Sequence, residues 1–215
     1  MKMSKTDILK WKHSANIIWA GALIVSFTAI LMAAIGAWLA VAPSEQGYAA
    51  FGLGFVIGLL GSIVLIVGLG GLRSRVGAKD AKSILLLIIG FGISCITSLF
   101  KLIPNLTIIY ILGDIAAAVF MLIGFYQLKN SLSFPYKATK GAAVLFASFI
   151  VTLSGSFISG FIASWMPQAS SVIAGLTVIA AIAMQLTGWY YFKTADPEDY
   201  LEKYPVKESE HSPES

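Results

Sequence analysis

A chain of 215 residues that is 57% hydrophobic and only 12% charged cannot hide its apolar surface in a water-soluble core, where about 25% of residues would be charged. The mean hydropathy of +0.81 makes lipid the solvent for most of it, and in lipid every backbone polar group needs an internal partner, which leaves helices or a closed barrel. The net charge of +4 conceals an acidic end: residues 196–215 hold seven acids against Lys203 and Lys207, so the remainder is +9, and its basic residues sit at the ends of apolar runs, which is membrane topology rather than nucleic-acid binding.

The apolar runs continue for about 20 residues, which is a helix signal; barrel strands would be about ten residues long and alternating. In chain order, residues 1–14 read as a basic cytoplasmic segment in which Ile8, Leu9 and Trp11 suggest a turn or two at the interface. Span 1 is 15–42, too long for the h-region of a signal peptide, and is expected to remain uncleaved. A loop from Pro43 to Gly47 leads to span 2 at 48–72. Arg73, Arg75, Lys79 and Lys82 then mark a basic loop before span 3 at 83–103. Pro104 and Asn105 turn the chain into span 4 at 106–128. A second basic loop from Lys129 to Lys140 precedes span 5 at 141–165, and Pro167–Ser170 turns into span 6 at 171–192. Residues 194–215 form an acidic cytoplasmic tail. Its Asp196-Pro197 pair could cap a short helix through Tyr200, Leu201 and Tyr204, and its remainder is disordered by composition.

Charge sets the orientation. Fourteen of the fifteen Lys and Arg lie at the N-terminus, in the 2/3 and 4/5 loops or after span 6; only Lys101 lies on the other side. Basic loops are cytoplasmic, so both termini are inside and the number of spans is even. The fold class is therefore an all-α polytopic membrane bundle, six transmembrane helices as three hairpins, N-in/C-in, placed in the cell membrane. Trp11, Tyr126, Tyr136 and Trp189–Tyr191 fall near the inner interface, and Trp38, Tyr48 and Trp165 near the outer one.

The three hairpins share a pattern. They begin at Lys12, Lys79 and Lys137, turn at Pro43, Pro104 and Pro167, and return to Gly-x-x-x-(Leu/Phe)-basic at Gly68–Arg73, Gly124–Lys129 and Gly188–Lys193. Repeats of one orientation would be related by an axis along the membrane normal. Small residues mark packing faces, since they let helix backbones approach in lipid: Ala29, Ala33 and Ala37 in span 1, Gly54, Gly58 and Ser62 in span 2, and Gly155/Ser159 with Ser156/Gly160 in span 5.

Asp114 is the one acid well inside an apolar span. At ~1.5 Å per residue it lies about 12 Å from Leu106, near the midplane, with Thr107 and Tyr110 on the same helix face. Equal depth in spans 3 and 5 reaches Ser94 and Ser154, with Thr97 and Ser98 slightly further out, so a polar layer of Ser94, Asp114 and Ser154 is the candidate intramembrane site. No basic residue falls at that depth, so a neutral, hydrogen-bonded acid is expected. It serves either as a proton or cation site or as a hydrogen bond between helices. In the repeat alignment it corresponds to Gly58 and Val178. Gln185, three residues before Gly188, either lines a cavity or bonds a neighbouring helix. Lys101 can snorkel to headgroups.

His13 and His211 have no second ligand at metal-site spacing, no His or Asp accompanies the intramembrane serines as a triad would need, and the glycines at 68–71 lack the Gly-Lys-Ser/Thr of a phosphate loop. No catalytic residue, metal or cofactor is therefore expected. No proline interrupts a span, so the unwound helices of many transporters are not indicated. The sequence favours a non-enzymatic structural or regulatory membrane component, with the bilayer and a second copy or another membrane protein as partners. The alternative is a small-solute or ion transporter or channel using Asp114.

Overall fold

The computed structural model describes residues 5–100, 103 and 105–199. It contains six helices: α1 Lys5–Val41, α2 Glu45–Arg73, α3 Ala78–Phe100, α4 Thr107–Lys129, α5 Tyr136–Ala163 and α6 Pro167–Lys193. All six are long and apolar enough to cross a membrane, and no strand forms among the described residues. The chain is an all-α bundle of candidate membrane spans.

The ends differ from the hydropathy boundaries for local reasons. α1 runs from Lys5, so the described part of the basic segment is continuous helix; Trp11 in it is only 1% exposed, packed against neighbouring helices. Ser44 caps α2 by accepting the Gly47 N–H at 3.1 Å, which draws Glu45 into the first turn. Asn105 takes a left-handed φ of 71°, a conformation asparagine tolerates better than most residues. After α6, Asp196 accepts the Glu198 N–H at 3.1 Å as a turn, and the Tyr136 N–H bonds the Asp199 carbonyl at 2.6 Å. The first residues of the acidic segment are thus docked on the start of α5, with Ala195 and Pro197 buried. The proposed helix through Tyr200, Leu201 and Tyr204 lies outside the described residues.

Each hairpin (α1/α2, α3/α4, α5/α6) is closely packed, and neighbouring hairpins meet through α2–α3, α4–α5 and α6–α1. The six helices therefore close into a ring. Glycine sets the hairpin spacing. A methyl group on Gly68 would lie 2.7 Å from Ile18 Cγ1 and 3.1 Å from the Ser14 carbonyl; on Gly124, 2.6 Å from Leu87 and 3.0 Å from the Ser83 carbonyl; on Gly188, 2.6 Å from Leu145 and 3.0 Å from the Gly141 carbonyl. The three contacts are the same contact. They align Ser14, Ser83 and Gly141, and so fix the entry of the repeats at Lys10, Lys79 and Lys137, each four residues earlier. The first hairpin thus starts two residues before the Lys12 that charge alone suggested.

The alignment continues into layers. Ile18, Leu87 and Leu145 are at most 1% exposed; Leu69, Phe125 and Trp189 at most 3%; Leu72, Leu128 and Phe192 are fully buried. These layers all lie toward the end that carries the basic loops, here the basic end. Toward the opposite end the helices are far more exposed, and Ala29, Ala33 and Ala37 are exposed rather than packed against a neighbouring helix, Ala29 bordering a cleft between α1, α2 and α3. In α2 the buried glycines are Gly47, Gly54, Gly61 and Gly68, spaced every seven residues along the face toward α1.

Candidate functional site

Asp114 lies two turns into α4 and is half-buried. Thr97 of α3 donates its hydroxyl to Asp114 Oδ1 at 2.7 Å; the Ser94 carbonyl, three residues earlier in α3, lies 3.1 Å from the same hydroxyl and competes for its one proton. Thr97 is buried because Gly113 lets α4 come into direct contact with its methyl group. The acid is therefore held in the α3–α4 seam. Of the other residues at its depth, Tyr110 is half-buried, Thr107 is exposed at the start of α4, and Ser154 is exposed on α5. Ser94 faces away from this seam into a cleft bounded by α1, α2 and α3. Ser94 and Ser154 lie in the cleft and on the exposed face of α5, while a hydroxyl of α3, that of Thr97, meets the acid.

A second acid is buried more deeply. Asp80, in the first turn of α3, is 1% exposed. Ser131 donates to its Oδ1 at 2.6 Å and Ser133 to its Oδ2 at 2.9 Å. The carboxylate thus ties the loop between α4 and α5 to α3 at the basic end. Its place in the repeat is held by Trp11 and Ala138 in the other hairpins, both buried. That alignment is the signal for it; as a lone acid between Lys79 and Lys82 it resembled an ordinary loop residue. Nearby, Arg75 donates to the Gly71 carbonyl and to Ser14 Oγ at 3.4 Å, fastening the end of α2 over α1.

The third feature is space. A cavity of about 50 Å³ lies where all six helices meet; its lining includes Ala22, Ser26, Ser62, Phe91, Phe149, Gln185 and Trp189. It adjoins a cleft of about 250 Å³ between α1, α2 and α3, with which it shares Val25 and Ser62. The cleft adds Thr28, Ser94, Cys95 and Ser98 among apolar neighbours such as Met32 and Phe55. Ser62 also contacts the Cys95 thiol. On the basic side the cavity is bordered by aromatic rings in edge-on and tilted contact: Phe125 and Trp189 are 5.8 Å apart, Trp189 and Phe192 5.2 Å, and Phe134 and Phe192 5.8 Å.

Chemically, the two acids make hydrogen bonds between segments, and the cavity offers hydroxyls, one thiol and one primary amide. Among the described residues no group of three His, Cys, Asp or Glu gathers in a way that could hold a metal ion. No family model matches the chain, and neither a curated protein nor a solved structure matches it.

Proposed function

We propose that the protein is a cell-membrane component with both termini cytoplasmic, whose role is structural or regulatory rather than enzymatic. The observation that carries this reading is the Thr97–Asp114 bond. An intramembrane acid is a functional candidate by default, and here it is engaged across two helices of one hairpin, as a packing hydrogen bond would be. The apolar layers of the basic end, with Leu72, Leu128 and Phe192 fully buried, support the same reading. The orientation follows from the basic loops, and the partners of such a component are the bilayer and a second copy or another membrane protein.

The competing reading, a small-solute or ion transporter using Asp114, draws support from the half-burial of that residue. Proteoliposomes separate the two. A packing role for Asp114 predicts no proton- or cation-driven flux above empty liposomes for the parent, and a folded Asp114→Asn variant of slightly reduced stability. Flux in the parent that Asp114→Asn abolishes, with the fold intact, would establish transport instead.

A further inference from the structure

We propose that the cleft between α1, α2 and α3, together with the axial cavity it adjoins, binds an uncharged amphiphile: a molecule with an apolar body and a hydroxyl or N–H donor. The site uses neither Asp114 nor Thr97, so it is independent of the role given to that pair.

Internal symmetry explains why space exists on the axis. Ala22, Phe91 and Phe149 occupy equivalent positions, eight residues after Ser14, Ser83 and Gly141. Two hairpins fill the axis with a phenyl ring and the first leaves it open. Leu65, Met121 and Gln185 are likewise equivalent, three residues before Gly68, Gly124 and Gly188. Two hairpins supply an apolar side chain there and the third supplies a primary amide, with two donors and one acceptor. Departures in two different hairpins thus converge on one space, one removing volume and the other adding a hydrogen-bonding group.

The lining then selects the ligand. No Asp, Glu, Lys, Arg or His borders either space, so a charged ligand would meet no counter-charge in a low-dielectric site, which is costly. The hydroxyl hydrogens of Ser62 and Ser98 are given to their own helices, to Gly58 O at 3.0 Å and Ser94 O at 2.8 Å. Their oxygens remain acceptors, and they match a ligand that donates. From Ala22 to Met32 the α1 wall runs about 15 Å at ~1.5 Å per residue, long enough for an extended apolar body behind a polar head. The cleft volume approaches the roughly 300–1,000 Å³ typical of small-ligand pockets.

Cys95 is the single cysteine of the chain and borders the cleft, so it reports occupancy without engineering. In the full-length protein in detergent, methyl methanethiosulfonate should modify Cys95, and 1-octanol should slow that reaction while octane and octanoate at equal concentration do not. Gln185→Leu and Ala22→Phe each install the residue that another hairpin already carries. Gln185→Leu should weaken octanol protection about fivefold, the factor for one hydrogen bond, at an unchanged Tm. Ala22→Phe should weaken it at least as much by filling the axis; if that variant does not fold, the smaller Ala22→Leu serves in its place. An unreactive Cys95, no protection by octanol, equal protection by octane (an acyl-chain groove) or stronger protection by octanoate would each overturn the proposal, as would full octanol protection in Gln185→Leu.

Discussion

The basic half and the opposite half of the bundle are built from the same six apolar helices, yet they pack differently. In the basic half, equivalent residues of three hairpins form closed layers, and Trp11, Phe125, Phe134 and Phe192 are at most 1% exposed. In the opposite half Ile108, Phe157, Phe161 and Trp165 are 72–81% exposed, and polar groups such as Thr97, Asp114, Ser94 and Ser98 lie between or beside the helices. Apolar character cannot produce this difference, because lipid tails solvate leucine as well as another helix does. Close approach through small residues, and layers whose side chains match in size, produce it. Where the hairpins diverge in residue size, as at Ala22 against Phe91 and Phe149, the layer opens.

The strongest way to break this comparison is to wedge the close approaches. Gly124→Leu would drive a side chain into Leu87 and the Ser83 carbonyl, and the same holds for Gly68→Leu and Gly188→Leu. Each should lower stability by about 3 kcal/mol, the upper range for overpacking. Gly160 and Gly175 meet nothing within 4 Å, so leucine at either should change stability by less than ~0.5 kcal/mol. Thermal unfolding in one detergent compares all five variants. Equal losses at Gly124 and Gly175 would show that proximity of the helices is not what holds the basic half.

A smaller effect is expected from the clasp at Asp80. Asp80→Ala leaves the buried Ser131 hydroxyl without its acceptor and removes a second bond from the exposed Ser133, at a cost of about 2 kcal/mol. Ser131→Ala alone should cost roughly half of that, because Ser133 retains its bond. Limited proteolysis between residues 130 and 135 reads the release of this loop directly: Asp80→Ala should be cut sooner than the parent. No change in cleavage would mean that the aromatic contacts of Phe134, not the carboxylate, hold the loop.

The helices themselves were legible because six runs of apolar residues between basic loops admit little else in lipid. Their hairpin pattern was legible in the return helices, where Gly68, Gly124 and Gly188 precede a basic residue at equal spacing. The entry helices were not, because Lys10 and Lys12 compete as the start and α1 continues through both without a break. The small residue that accepts the glycine contact, Ser14, Ser83 or Gly141, is the better anchor, and only packing identifies it. The partner of Asp114, Thr97, was placed in the sequence slightly further out than the layer of Ser94, Asp114 and Ser154. Equal depth leads to Ser94, but the close approach of α4 at Gly113 sets Thr97 against the acid, and that contact cannot be counted from span ends. The axial cavity could not be read at all without the register of the three hairpins, since it is an absence of volume at one of three equivalent positions. Asp80 was hidden for the related reason that its burial comes from a loop fifty residues away.

The smallest effect belongs to the residue that drew most attention in the sequence. If Asp114 packs α4 against α3 through Thr97, removing either partner should cost little, because hydrogen bonds between membrane helices average about 0.6 kcal/mol and reach ~1.7. Single variants cannot tell this from general loss of packing; the double-mutant cycle of Thr97→Val and Asp114→Asn can. Valine keeps the branched shape that fills the seam beside Gly113 and removes only the donor. Asparagine keeps the acceptor oxygen and should therefore retain part of the bond, so Asp114→Leu is the fuller test. For Thr97→Val with Asp114→Leu, a coupling of about 0.6–1.7 kcal/mol in thermal or denaturant unfolding is the expected outcome. Zero coupling, with each single change fully additive, would mean that the 2.7 Å contact contributes nothing to holding the opposite half. The acid would then need another reason for its place in the membrane.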